Sequence, residues 1–168
     1  MRSFKETRIA SFPRPLSAEQ RRGRRGIVLA NRSGVQRILF SVPMNSQVLV
    51  VDDSGFSRRI LRQILEEAGY GVDEAKDGME ALERYALGKP QLVLLDVVMD
   101  GMSGLEVLTK LRELDAKVRV LLATADVQSS TASTAREAGA AGIIGKPFQK
   151  ERVVQAISSA LRGEGAWS

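Results

Sequence analysis

The sequence predicts an α/β domain, a doubly wound parallel sheet of five strands covered by five helices. Two observations predict it. Four short apolar runs, unbroken and rich in leucine or β-branched residues, each end on a polar residue. Residues 48–51 end on Asp52 and Asp53, residues 92–95 on Asp96, residues 118–123 on Thr124, and residues 140–145 on Lys146. Runs of this kind read as strands buried on both faces. Between them lie segments with apolar residues at helical spacing, and strict alternation of the two patterns gives a parallel sheet with right-handed crossovers.

Each element follows in turn. The first strand, 48–51, precedes a helix whose inner face is Ile60, Leu61, Ile64, Leu65 and Ala68, with Gly69 placed to end it. Residues 71–75 form a second strand. Asp77 or Gly78 opens a helix with Met79, Leu82, Tyr85 and Ala86 inward, and Gly88, Lys89 and Pro90 break it. The third strand is 91–95, followed by a loop over 97–103 rich in Gly and Met. The third helix, 104–114, carries Leu105, Leu108 and Leu111 on one side. Strand four is 118–123. Helix four, 127–138, is weak, because its serines and threonines leave few apolar anchors. Strand five is 140–144, and the last helix, 149–161, buries Val153, Val154, Ile157 and Leu161. The expected sheet order is 2-1-3-4-5, as in flavodoxin-like folds, with ligands bound beyond the carboxyl ends of the strands.

Composition narrows the chemistry. The chain has 168 residues, 43% of them hydrophobic and 27% charged, as in a soluble globular protein. No apolar stretch approaches the ~20 residues that span a bilayer. The sequence holds no Cys and no His. Disulfides, thiolate nucleophiles, His-ligated zinc, a Ser-His-Asp triad and a histidine phosphocarrier role are therefore excluded. A metal here must be held by oxygen, which favours Mg²⁺ or Ca²⁺.

Charge divides the chain. Residues 1–43 hold ten Lys or Arg and two Asp or Glu, a balance of +8, whereas residues 44–168 hold 15 and 18, a balance of −3. Residues 1–45 show no sustained period and carry Pro13, Pro15, Pro43 and the cluster Arg21, Arg22, Arg24 and Arg25, which reads as a disordered basic extension. Three roles compete for it: an arm for nucleic acid or an anionic surface, a targeting peptide, or sequence upstream of a true start at Met44. The third is favoured, because Asn45, Ser46 and Gln47 lead directly into the first strand. The folded domain is expected over 46–162, with 163–168 a short tail too small for an effector domain.

The strand ends carry the chemistry. Asp52, Asp53 and Asp96 would share one cleft and repel one another unless a cation neutralises them. Mg²⁺ suits such oxygen ligands, and a backbone carbonyl after Asp96 can complete the set. With Mg²⁺ present, one carboxylate can attack a phosphoryl group, and the Thr124 hydroxyl and Lys146 ammonium suit the phosphoryl oxygens. Taken singly, each residue is ordinary: an aspartate after a strand is usually a turn former or cap, and a lysine is usually solvated. Their joint placement at the ends of strands one, three, four and five is what carries the functional reading.

These residues resemble the receiver domain of two-component response regulators, in particular the stand-alone chemotaxis type. The matching pieces are Val48 through Ser54, Leu92 through Met99, Gly101 through Gly104, Thr124-Ala125 and Lys146-Pro147-Phe148. The resemblance implies that Asp96 is the phosphoacceptor, that Asp52, Asp53, Asp96 and the Val98 carbonyl hold Mg²⁺, and that Thr124 and Lys146 contact the phosphoryl group. It implies a histidine kinase or phosphotransfer protein as donor, and an output protein bound on the fourth helix, fifth strand and fifth helix. It implies a cytoplasmic setting and no enzymatic activity beyond self-phosphorylation and self-dephosphorylation at Asp96. Neither a membrane nor nucleic acid is the expected partner. Three positions depart from the pattern. Asp100 replaces the usual Pro, Ile143 replaces the usual aromatic at the switch position, and Val98 is apolar where a polar side chain helps orient a hydrolytic water. Val98 predicts slow self-dephosphorylation. It also argues against an aspartyl phosphatase, which wants a second acid there. A receiver-fold scaffold that signals without phosphate, and a regulator contacting nucleic acid through the basic arm, stand as alternatives.

Overall fold

The computed structural model describes residues 46–127 and 129–167. The predicted basic extension over 1–45 lies outside them. Among the described residues the chain alternates strand and helix throughout: β1 Gln47–Val51, α1 Gly55–Glu67, β2 Gly71–Ala75, α2 Gly78–Gly88, β3 Leu92–Asp96, α3 Gly104–Leu114, β4 Val120–Thr124, α4 Ser129–Glu137, β5 Gly142–Gly145 and α5 Lys150–Leu161. The strands form one sheet in the order β2-β1-β3-β4-β5, and every pairing is parallel. This is the predicted doubly wound, flavodoxin-like fold.

Two apolar layers hold it, one on each face of the sheet. Alternate residues of β1 divide between them: Leu49 and Val51 join α2, α3 and α4, while Val48 and Val50 join α1 and α5. β3 and β4 are buried along their full length, which is why they read as continuous apolar runs rather than alternating ones. Helix starts are fixed by side-chain caps. Ser54 and Asp77 accept from the backbone N–H three residues on, and Ser103 and Glu106 form a reciprocal capping box.

Several boundaries and one helix phase differ from the sequence reading. β4 begins at Val120 because the Asp115 side chain and carbonyl accept from the Lys117 and Val118 N–H groups, holding 115–118 in a turn. β5 begins at Gly142 because the Ala140 N–H is bonded to the Ala135 carbonyl and belongs to the end of α4. In α2 the inward residues are Gly78, Ala81 and Tyr85, not Met79 and Ala86. Met79 is 68% exposed. The helix is rotated by about one position because small residues face the core: a Cβ at Gly78 would lie 2.6 Å from a Val107 methyl. Ala68, expected on the inner face of α1, is exposed as that helix's C-cap.

The two assignments of helix phase differ in their energetic consequences. Leu65→Ala removes a fully buried side chain and is expected to cost about 2–5 kcal/mol. Met79→Ala is expected to change stability by no more than about 0.5 kcal/mol. Urea unfolding of both variants checks this; a loss at Met79 comparable to that at Leu65 would restore the inward assignment.

Candidate functional site: an acidic pocket at the strand ends

Parallel register assembles the site. Val51 pairs with Leu95, so Asp52 and Asp96 stand side by side one residue further on. Asp96 pairs with Ala123, and Thr124 with Gly145, which brings the ends of β4 and β5 to the same edge. Asp53 and Lys146 follow the ends of β1 and β5. Asp52, Asp53, Asp96 and Lys146 thus lie together at one corner of the domain. A single ligand atom from each of the three aspartates lies within 4.8 Å of the others.

Lys146 is the centre of this arrangement. Its Nζ lies 2.9 Å from Asp52 Oδ2 and 2.9 Å from Asp96 Oδ2. Asp52 is almost wholly buried, and its second oxygen accepts the Ser54 N–H at 2.8 Å. Asp53 is exposed and accepts the Asp100 N–H at 3.2 Å. Arg58, which the sequence reading did not single out, donates from Nη1 to the carbonyls of Asp52 (2.6 Å) and Asp53 (3.2 Å) and pairs with Glu74. It ties the main chain of the acid pair to α1 and β2. Its position four residues after Ser54, on the first turn of an arginine-bearing helix, was the available signal.

Gly104, which the sequence reading placed at the start of the third helix without giving it a role, is a second such residue. A Cβ there would lie 2.1 Å from the Asp96 carbonyl oxygen, so only glycine lets the start of α3 close against the strand that carries Asp96. The Ser103-x-x-Glu106 spacing of the capping box was the legible sign that a helix starts at this point.

The remaining predicted residues are placed as follows. Thr124 is buried, and its hydroxyl is engaged by its own loop: Oγ1 accepts the Asp126 N–H and donates to the Asp126 carbonyl, both at 3.1 Å. The Val98 side chain is 77% exposed, while its N–H donates to the Asp96 carboxylate. Ile143 is buried in the layer shared with α3 and α4, not at the pocket. The Lys146–Pro147 peptide bond is cis.

The donor set fits a hard cation. Three carboxylates converge without nitrogen or sulfur ligands, and oxygen-only sets of this size suit Mg²⁺. Burial pushes the Asp96 carboxyl above the usual aspartate range; the Lys146 ammonium and the Val98 N–H pull it down, and the Asp52 charge adds to the rise. Burial works against the Lys146 ammonium too, but Asp96 and Asp52 outweigh it and hold its proton more firmly than in water.

A parallel α/β domain that gathers acids and a lysine at its strand ends is suited to cation-assisted phosphoryl chemistry. Residues 48–158 match the model of the response regulator receiver domain. The chemotaxis protein CheY of Halobacterium salinarum is 45% identical over 118 residues, covering 70% of this chain and 98% of that protein. The crystallised Vibrio cholerae chemotaxis protein CheY4 superposes with a TM-score of 0.66 at 29% identity, covering 69% of this chain and 98% of that one. A CheX-CheY-BeF3-Mg complex from Borrelia burgdorferi gives 0.65 at 33% identity, covering 67% and 87%. The chain belongs to the response regulator receiver family, and within it to the chemotaxis type. It is a receiver domain of phosphorylation-based, two-component signalling. Among the described residues no helix is long and apolar enough to cross a membrane.

The charge balance of the pocket has a sign that can be tested. A raised Asp96 means that the folded state holds the proton more tightly than the unfolded chain. Its contribution is favourable below the ordinary aspartate range and is lost as pH rises through the raised value. Lys146, also raised, keeps its contribution up to the ordinary lysine range and loses it only above. Asp96→Asn is therefore expected to raise the urea midpoint of the Mg²⁺-free protein near pH 7, with the gain shrinking towards about pH 4. A gain that is absent near pH 7, or that grows on acidification, would contradict this assignment.

Proposed function

We propose that Asp96 accepts a phosphoryl group from a partner histidine kinase or phosphotransfer protein, and that the phosphorylated chain signals by binding another protein or passing the group on. The observation that carries the reading is the Lys146 ammonium between Asp52 and Asp96, at the carboxyl edge of the sheet. In the transfer, an Asp96 carboxylate oxygen forms a bond to phosphorus as the bond from phosphorus to the donor's imidazole nitrogen breaks. Mg²⁺, when held by Asp52, Asp53, Asp96 and the Val98 carbonyl, supplies positive charge to the phosphoryl oxygens. The Borrelia burgdorferi relative, in a complex containing BeF3 and Mg, lends support to both ligands here.

This chain's residues divide the remaining work. Lys146 is already desolvated beside Asp96, so it meets the incoming negative charge without moving far. Its ion pair with Asp96 loosens as that carboxylate becomes an acyl phosphate. Thr124 must leave the Asp126 carbonyl to donate to the phosphoryl group, and that exchange repositions the loop leading into α4. The loop carries exposed Val127, and α4 has Ala135 as a wholly buried residue, so its attachment is weak enough to follow. The output is thus a shift between two packings of α4 and β5. Ile143 makes the coupling between Thr124 and this face aliphatic. Val98, projecting into solvent without a polar atom, leaves the attacking water unheld and the phosphate long-lived.

Intact mass after incubation with acetyl phosphate tests this. Wild type is expected to gain one phosphoryl group only with Mg²⁺ present, and Asp96→Ala none. Val98→Asn is expected to lose the group several-fold faster than wild type. An adduct on Asp96→Ala, or no adduct even with beryllofluoride as the probe, would reject the acceptor; an unchanged decay in Val98→Asn would reject the role of Val98.

A further inference from the structure

The free edge of β5 is covered by the chain's own C-terminal segment. α5 ends in a Schellman turn: the Gly163 N–H bonds the Ala160 carbonyl, the Glu164 N–H bonds the Ser159 carbonyl, and Gly163 takes the left-handed φ of 80° that this turn requires. The turn sends the chain back along β5. The Ala166 N–H donates to the Ala141 carbonyl at 2.9 Å, and the Ile143 N–H donates to the Ala166 carbonyl at 2.9 Å, a parallel bridge opposite Gly142. Trp167 then packs on the α4 side, with the Arg136 guanidinium 4.4 Å from its ring centre.

Two features show that this edge is shaped to receive a strand. A Cβ at Gly142 would lie 2.1 Å from the Ala166 carbonyl oxygen, so a side chain at that position would shut the segment out. Ala132 and Ala135 of α4, and Ala138 just after it, pack in the same apolar layer as Trp167. Residues 163–165 are exposed and two of them are glycine, so beyond the turn and the Arg162–Glu164 ion pair the segment is held by two backbone hydrogen bonds and the packing of Ala166 and Trp167.

We propose that the edge of β5 is a strand-addition site for an extended peptide of a partner protein, and that Gly165–Ala166–Trp167 is a tethered occupant which the partner displaces. The fitting peptide presents a small residue opposite Gly142, whose N–H and carbonyl pair with Ala141 and Ile143, followed by an aromatic residue that goes under Arg136. Main-chain pairing gives such a site its affinity and the aromatic pocket its selectivity. A tethered occupant at high effective concentration keeps the edge closed to weak or wrong partners and blunts a sheet edge open to self-association. The proposal does not depend on Asp96 accepting phosphate.

Trp167 is the only tryptophan in the sequence, so its fluorescence reports whether the segment is docked. In the full chain, Ala166→Pro removes the N–H that bonds Ala141, and Gly142→Ala places a methyl against the Ala166 carbonyl. Both are expected to red-shift the emission while far-UV circular dichroism stays unchanged. A labelled peptide of residues 162–168 is then added as the probe. It is expected to bind the Ala166→Pro chain at least about tenfold more tightly than wild type, where the tethered segment competes. It is expected not to bind the chain carrying both Ala166→Pro and Gly142→Ala. Unchanged emission in Ala166→Pro would overturn the proposal, as would a released segment with no peptide binding, or binding that Gly142→Ala leaves intact.

Discussion

The Lys146 ammonium between Asp52 and Asp96 is the interaction on which the rest of the pocket depends. Two carboxylates taken out of water beside each other repel strongly, and neither is tolerable without a cation at hand. Lysine supplies that cation on a flexible stem, as a point charge that can shift from carboxylate to phosphoryl oxygen. The pocket's net charge remains negative even so, since Asp53 and Asp100 lie at its mouth. Residual charge of that sign favours a divalent cation. The same clustering of acids that costs stability makes the pocket suited to a hard divalent cation.

The scaffold supplies the precision. Parallel pairing sets Asp52 beside Asp96 through a single register, and a slip by one residue would turn every strand-end side chain to the opposite face. Local devices then fix each strand end. Ser54 holds Asp52 by its N–H, Arg58 holds the carbonyls of the acid pair, and bare Gly104 admits α3 against Asp96. The opposite side of the domain is looser. α4 meets the sheet through alanines, and Thr124 is engaged by its own loop rather than by the pocket. A domain with a rigid acidic corner and a lightly attached helix beside it can convert one covalent event into a change of surface.

Much of this was legible in the sequence. Strands buried on both faces leave unbroken apolar runs, and the residues that end those runs are the pocket. Alternation gave the parallel, doubly wound class, and the order 2-1-3-4-5 came from its likeness to flavodoxin-like folds. What escaped the sequence was contact between backbones. Gly104 and Gly142 are needed because a main chain passes within van der Waals distance of them, and nothing local marks that. The phase of α2 was misread because Met79 is large and apolar, whereas the core there takes Gly78 and Ala81. The pairing of Ala166 with β5 was invisible for the same reason: seven residues after α5 carry no period, and only the folded sheet offers them an edge.

Lys146, partly buried, neutralises the strand-end acids, a task that a bound divalent ion would share. Thermal unfolding of wild type and Lys146→Met, each with and without Mg²⁺, tests this directly. The account predicts that the variant is destabilised by about 3–5 kcal/mol in the absence of the ion, since two buried carboxylates lose their partner. It predicts that Mg²⁺ raises the midpoint of both proteins and recovers more in the variant than in wild type. A variant as stable as wild type without Mg²⁺, or an equal and negligible response of both to the ion, would contradict it.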